Sequence, residues 1–286
     1  MSLNECTYSF IEKIKLKNII IIQSTMAMLL NSYSTQIFIN SPLEQFEVTN
    51  LIGISAPILG YLNISLTNLG LYTILILFLI VGLHYYGNNE VKLVPSKWSI
   101  ALESLFASIH SMVREQLGKE IYLPFIYSIF FFILIANLTG NIPYSFTITT
   151  SIIVSIGFSF TILIAVTILG LSIHKLHFFS YFVPSGTPLA LVPLLVLIEL
   201  TSYLARAFSL GIRLFANVVA GHTLMKILST FLYKMFSAGV LAAIVTLIPF
   251  SLFLAICGLE LAVSVIQAYV FTILTCSYIK DVIYLH

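Results

Sequence analysis

Residues 189–232 read LALVPLLVLIELTSYLARAFSLGIRLFANVVAGHTLMKILSTFL. The run is largely apolar, its only proline, Pro193, stands near the start, and no turn signal falls in the middle. A second run, Val240–Tyr284, has the same character, with Pro249 near its beginning. Fully helical, each extends roughly 65 Å at 1.5 Å per residue, about twice the ~30 Å hydrocarbon layer of a bilayer. Each run either breaks into two spans or forms one long helix lying steeply inclined. With no central turn, a hairpin of two long, strongly tilted helices is the expectation. Such tilt needs a large neighbour to dictate it.

The whole chain agrees with a membrane setting. Its 286 residues are 59% hydrophobic and 8% charged, with a mean hydropathy of +1.05. Soluble domains carry about 25% charged residues, so this chain has too few to coat a water-facing surface. Its apolar stretches are continuous, without the alternation of an outer-membrane barrel, so the fold class is an all-α integral membrane protein. A formal charge of +2 and the lack of any basic cluster give no sign of a nucleic-acid partner. Cys6, Cys257 and Cys276 form no pair or metal-ligand spacing, and the last two fall in apolar helices as small hydrophobes.

About three upright transmembrane helices precede the long runs. The first extends from about Asn68 to Tyr86 and is closed by Gly87-Asn88-Asn89-Glu90. Trp98–Leu117 follows, with Trp98, Ile100, Leu102, Leu105, Ile109, Met112 and Val113 near helical spacing; it reads as an amphipathic helix lying along the membrane. Pro124–Leu138 and Ile152–Leu171 are the second and third spans, and Pro184–Pro188 makes a turn before the first long run. Two regions are expected: residues 1–40 as an N-terminal extension and residues 41–286 as the membrane domain. In the extension, Lys13, Lys15 and Lys17 precede the apolar run Ile19–Leu30 in the manner of a targeting signal. About twelve residues fall short of a ~30 Å span, so the preferred reading is an interfacial or accessory helix.

Lysine and arginine placement sets the orientation. Lys92, Lys97, Arg114 and Lys119 lie between spans one and two, Lys175 follows span three, and Lys280 is near the C-terminus, whereas residues 139–150 carry no basic side chain. The charged loops and the C-terminus are therefore expected on the matrix (or cytoplasmic) side. Lys226 and Lys234, near the far turn of the hairpin, weaken this pattern without reversing it.

Four ionisable residues sit deep in the long helices: Glu199, Arg206, Arg213 and Glu260. Each costs a few kcal/mol or more in a bilayer, so such residues mark ion pathways by default. A structural ion pair is the competing reading for Glu199–Arg206; it fits Arg213 poorly. Glu199, Arg206 and Arg213 are spaced by seven, which returns each to nearly one face, and Asn217 lies a turn beyond. Ser202, Ala205, Ser209, Ala216 and Ala220 fall near the same face, a strip of small residues that lets another helix come close. The alternative is that some of them pack against the second long helix. His222 lies on the opposite face from Arg213, roughly 13.5 Å further along. On the last helix Glu260 and Gln267 are also seven apart. Histidine and a desolvated glutamate can carry protons near neutral pH, whereas arginine keeps its charge. Polar groups on two sides of a fixed cation suggest two separate aqueous paths.

At these residues the chain resembles subunit a of the F-type ATP synthases. Ser209–Asn217, SLGIRLFAN, is similar to the family's SLGxRLxxN segment and continues into Ala220-Gly221-His222. Leu259-Glu260-Leu261 with Ile266–Val270 resembles its last-helix motif. Ser41–Phe46, Pro184–Pro193 and Leu285-His286 resemble mitochondrial members, and the likeness runs from about residue 41 to the end. The resemblance implies a proton-translocating stator subunit of the mitochondrial inner membrane, multi-pass and not catalytic alone. It implies a rotating c-ring, peripheral-stalk and other membrane-sector subunits, and lipids as partners, and no cofactor. Residue by residue, Arg213 matches the essential arginine that faces the c-ring carboxylate, and Asn217 and Gln267 match its polar neighbours. His222 and Glu260 match a pair in the intermembrane-space half-channel, in the order that favours a mitochondrial member. Glu199 and Arg206 match residues near the matrix-side path.

A stand-alone polytopic transporter or channel is the alternative, but no repeat relates the two halves. An intramembrane hydrolase would need a nucleophile with a base or a metal set, and His222 has no second His or Cys at ligand spacing.

Overall fold

The computed structural model describes residues 43–55, 63–87, 95–142, 145–183, 191–237 and 244–284. Two compact units divide the chain, Met1–Glu44 and Gln45–His286, and the described residues belong almost wholly to the second. The helix expected within residues 1–40 and the turn at Pro184–Pro188 lie outside them.

Two short antiparallel strands, β1 (Asn50–Ser55) and β2 (Asn63–Thr67), come first, with an irregularity in register between Asn50 and Ile52. Helices dominate everything after them. Helix α1 (Asn68–Gly87) is the first span, roughly 30 Å at helical rise. Asn68 ties its start to the preceding chain: its Oδ1 accepts from the Thr49 and Leu69 amides, and its Nδ2 donates to the Glu47 carbonyl. Only Ile76 and Gly87 of α1 are buried, so most of this helix faces outward.

Helix α2 (Lys97–Leu117) is the amphipathic segment. Ser96 caps its start by accepting from the Ser99 amide, and Gly118, with φ of 65°, ends it by donating its amide to the Arg114 carbonyl. A left-handed residue at this position favours glycine. The apolar stripe is buried only in its second half, at Ile109, Met112, Val113 and Leu117, while Trp98 and Ile100 point outward.

Helix α3 (Leu123–Gly140) has Pro124 in its first turn, where the missing N–H costs nothing. It is the central span: Ile126, Ile129, Phe130, Phe131, Ile133, Leu134 and Ala136 are all buried. A loop containing a short 3-10 turn, Ile148–Thr150, leads to α4 (Ile152–His174).

The two long runs are α5 (Val192–Ser237) and α6 (Leu247–Ile283), each unbroken. At helical rise they measure roughly 69 and 56 Å. No turn interrupts α5 near Arg213. The pair is antiparallel, as three contacts along it show: Arg206 meets Asp281, Asn217 meets Gln267, and His222 meets Glu260. The buried side chains of α2, α3, α4, α5 and α6 share one core, which includes Leu210 and Leu214 of α5 and Phe271 and Ile279 of α6.

Gly211 fixes how α5 lies on α4. A Cβ there would stand 2.6 Å from Ser159 Oγ, 2.9 Å from Ile156 Cα and 3.0 Å from the Ser155 carbonyl oxygen. The glycine two residues before Arg213 thus lets the two backbones touch, which fixes the side of α5 that turns away from the core.

Candidate functional site

Helix α5 has two unlike faces. Tyr203, Ala207, Leu210, Gly211, Leu214 and Val218 are buried against the rest of the chain. On the other side Ala205, Ser209, Ala216 and Ala220 are exposed, with Ser202 and Arg213 half-buried among them. The positions 202, 205, 209, 213, 216 and 220 advance by three or four, so they form one stripe down the helix. Packing against α6 does not account for these exposed alanines and the serine. They are a surface of small residues around one arginine.

Arg213 forms no hydrogen bond and no ion pair among the described residues. Among the described residues no anionic side chain pairs with it. Arg206, two turns earlier, is fully engaged. Its Nη1 donates to Asp281 Oδ2 at 3.0 Å and to the Tyr181 hydroxyl at 3.2 Å, and its Nη2 lies 4.0 Å from Glu199 Oε1. The expected Glu199–Arg206 pair is present, at the limit of an ion pair. The tighter partner, Asp281, is one that sequence reading misses. An available signal was register: with Asn217 set beside Gln267, antiparallel counting brings Arg206 to residue 278, one turn from Asp281.

Beyond Arg213 in the other direction, the Asn217 Nδ2 donates to Gln267 Oε1 at 3.0 Å. Five residues further, His222 Nδ1 stands 3.7 Å from Glu260 Oε1. Both side chains are largely buried, and neither Glu260 carboxylate oxygen nor His222 Nε2 has a hydrogen-bond partner among the described residues. Phe46, from the segment that resembles mitochondrial members, sets its ring edge-on to the His222 ring.

Gly221 makes the His222–Glu260 approach possible. A Cβ at that position would sit 2.7 Å from Glu260 Oε1 and 3.0 Å from its Cδ, so the carboxyl lies directly on the α5 backbone. Its place in the Ala220-Gly221-His222 run gives no sign of this task in the sequence.

Along α5 the order is therefore Arg206 with its acids, then Arg213, then Asn217–Gln267, then His222–Glu260. At helical rise these steps are roughly 10, 6 and 7.5 Å. All seven residues expected from the sequence fall on the hairpin, and three pairs of them touch. Among the described residues no three His, Cys, Asp or Glu side chains converge as metal ligands. Chemically, the arrangement is a fixed cation between two separate groups of proton-accepting side chains.

The likeness to known proteins covers the same residues. A family model for the ATP synthase A chain matches residues 70–280. The chain is 67% identical over 250 residues to the ATP synthase subunit a of Mycosarcoma maydis, an alignment covering 87% of this chain and 98% of that protein. It is 50% identical over 252 residues to that of Emericella nidulans, covering 87% and 98%. To that of Chondrus crispus it is 46% identical over 257 residues, covering 88% and 99%. The chain belongs to the ATP synthase A chain family.

Proposed function

We propose that this chain is the proton-carrying stator of a mitochondrial ATP synthase, holding two half-channels and an essential arginine against a ring of c subunits. One observation carries this reading above the others. Arg213 is a half-buried cation without an ion-pair partner among the described residues, set in an exposed strip of small residues that a neighbouring helix can approach closely. An arginine at membrane depth needs an anion, and the strip is where one would arrive on another chain.

A proton enters from the intermembrane-space side at His222 and Glu260 and neutralises a c-ring carboxylate. The neutral carboxyl then moves through lipid, which a charged one resists. After nearly a full turn it reaches the matrix-side path near Glu199 and releases the proton. Asp281 holds Arg206 at 3.0 Å, closer than Glu199 at 4.0 Å. Arg213 attracts the newly ionised carboxylate; at 4 Å and an effective dielectric of 20 that pair is worth about 4 kcal/mol. Arg213 also interrupts direct proton hopping between the two paths, because it does not give up its own proton. The membrane potential supplies about 2.3 kcal/mol per charge per 100 mV.

Geometry and topology follow from the same reading. The unbroken lengths of α5 and α6 fit a ~30 Å layer when the hairpin is inclined along the ring. The charged loops and C-terminus lie on the matrix side of the inner membrane. Residues 1–40 are an extension to the membrane domain of residues 41–286.

The test is cross-linking in intact membranes. Ser209→Cys and Ala216→Cys should each form adducts with cysteines placed on the outer helix of the c subunit. Leu210→Cys, on the buried face, should not. Adducts from Leu210→Cys alone, or from none of the three, would remove the proposed interface.

A further inference from the structure

An open cavity of about 610 Å³ lies between α1, α2 and the first turns of α3, and no residue of α5 or α6 lines it. Its wall is made chiefly by His84, Tyr85, Ser99, Glu103, Phe106 and Tyr127. Gly87 lets α2 close on α1: it is buried, and a Cβ there would collide with the Leu102 side chain. Hydrogen bonding fixes what the wall offers. His84 Nδ1 stands 2.8 Å from the Ile80 carbonyl oxygen, which can only accept, so Nδ1 carries the proton. Nε2 of the neutral ring is then an acceptor, and the Tyr127 hydroxyl donates to it at 3.0 Å. That hydroxyl has committed its proton, and its oxygen can only accept from a ligand. Glu103 is exposed and has no hydrogen bond or ion pair among the described residues. His84 and Phe106 each pack T-shaped on the Tyr127 ring, with centroids 5.6 Å apart. The wall therefore presents a carboxylate, a phenolic oxygen and several aromatic rings, and no lysine or arginine lines it.

We propose that this cavity binds the headgroup of a phospholipid that ends in a primary ammonium, the ethanolamine class. The inference does not rest on the proton-path reading above. An ammonium brings positive charge to Glu103 and N–H donors to the acceptors of the wall, and the aromatic faces add to its attraction. A trimethylammonium carries the charge without an N–H, so it leaves those acceptors unmet. An anionic headgroup meets the carboxylate as a like charge. A lysine from a neighbouring subunit would offer the same ammonium, but two features favour a lipid. The cavity opens on the outward face of a span, where its lining residue Val81 is 68% exposed and Phe78 nearby is 75% exposed. Acyl chains lie along such a face. The first turn of α2 also sets exposed Lys97 two residues before Ser99, a cation at a helix N-terminus for the phosphate that the lipid carries. A lysine side chain brings neither chains nor phosphate.

The competing account is an unselective gap that any membrane lipid fills. The two separate on headgroup chemistry. The purified complex is photolabelled with a phosphatidylethanolamine that carries a diazirine in one acyl chain, and the labelled peptides of this subunit are read by mass spectrometry. Labelling within residues 81–127 should be competed about tenfold better by unlabelled phosphatidylethanolamine than by phosphatidylcholine or phosphatidylglycerol. Glu103→Gln should lower that labelling about tenfold. Glu115→Gln, exposed on the same helix and outside the cavity, should leave it unchanged. Tyr127→Phe keeps the ring and removes the oxygen; it should narrow the ethanolamine preference about threefold, and it decides if Glu103→Gln fails to assemble. Equal competition by the three lipids, equal labelling of the Glu103→Gln and Glu115→Gln complexes, or an unchanged preference in a deciding Tyr127→Phe complex overturns the site. So does a carbodiimide cross-link from Glu103 to a lysine of another subunit without lipid labelling, which gives the cavity to protein. Proton transport is no part of this readout, so failure here leaves the stator reading standing.

Discussion

Arg206 and Arg213 stand seven residues apart on α5, near one face, yet their surroundings differ in kind. Arg206 has an aspartate from α6, a tyrosine hydroxyl and a glutamate from its own helix within 4.0 Å. Arg213 has no hydrogen bond or ion pair among the described residues and is flanked by exposed alanine and serine. A guanidinium at membrane depth has to be compensated. For Arg206 the chain does this internally, so that charge joins α5 to the last turns of α6. For Arg213 no such partner lies among the described residues, and on the proposed reading its compensation comes from a partner that comes and goes. On that reading the same residue type in the same helix serves the fold in one place and the assembly in the other. What tells them apart is the partner list.

The sharpest way to break this contrast is at Arg213. Arg213→Ala should reduce coupled proton transport about a thousandfold, since a ~4 kcal/mol pair with the incoming carboxylate disappears. Arg213→Lys should fail as well, because lysine lacks the planar fork and loses its proton when desolvated. ATP synthesis driven by an imposed proton gradient is the measurement. Near-normal synthesis in either variant would make Arg213 a structural charge like Arg206.

Next in size are His222 and Glu260. A positioned proton-transfer group contributes about a hundredfold or more, and on the proposed reading these two, 3.7 Å apart, act as one unit. Changing either to Ala should slow proton uptake on that scale. Exchanging the two side chains should restore more flux than either single exchange, when flux is followed in both directions. A double exchange no better than the singles means that they act independently.

Arg206→Ala should behave differently. Its carboxylate partners are about a third or more exposed within the chain, so solvent-screened pairing is worth about 1 kcal/mol, or roughly a fivefold shift in an equilibrium. The amount of assembled complex surviving mild heating should fall, with pumping per assembled complex reduced only modestly. Asp281→Asn in the Arg206→Ala background should recover part of the loss by removing the stranded acid. A block as complete as that of Arg213→Ala would erase the distinction between the two arginines.

Much of this hairpin is legible in the sequence, because membrane spans and heptad spacing are local signals. The absence of a turn within residues 189–232 foretells a helix that runs through Arg213, and the seven-residue steps foretell which residues share a face. Asn217–Gln267 and His222–Glu260 become neighbours once the two runs are folded back on each other. Asp281 is not legible in that way, since its meeting with Arg206 depends on hairpin register and on side-chain reach. The alternation Asn63-Ile64-Ser65-Leu66-Thr67 is a strand signal, but it is short and easily passed over beside a span. The outward-facing first half of α2 also escapes periodicity, which gives a face without saying how much of it finds a partner.

The finest expected effect concerns two glycines that the sequence cannot rank. Gly221 and Gly258 lie on the facing long helices, and both look like helix-weakening residues that alanine would improve by about 0.5–1 kcal/mol. Their surroundings say otherwise for one of them. A methyl at Gly258 meets nothing within 4 Å, whereas a methyl at Gly221 would lie 2.7 Å from Glu260 Oε1. The obstructing atom is the end of a flexible side chain, so Gly221→Ala should leave assembly and thermal stability nearly unchanged. The carboxyl must swing aside, however, and a displaced proton-transfer group works less well. Proton uptake should fall about threefold on that account, while Gly258→Ala leaves it alone. Shortening the acid provides the check: Gly221→Ala with Glu260→Asp should transport better than Gly221→Ala alone, because the shorter side chain withdraws from the new methyl. If the aspartate makes the double variant worse, the glycine is there for helix contact and not to seat the carboxyl beside His222.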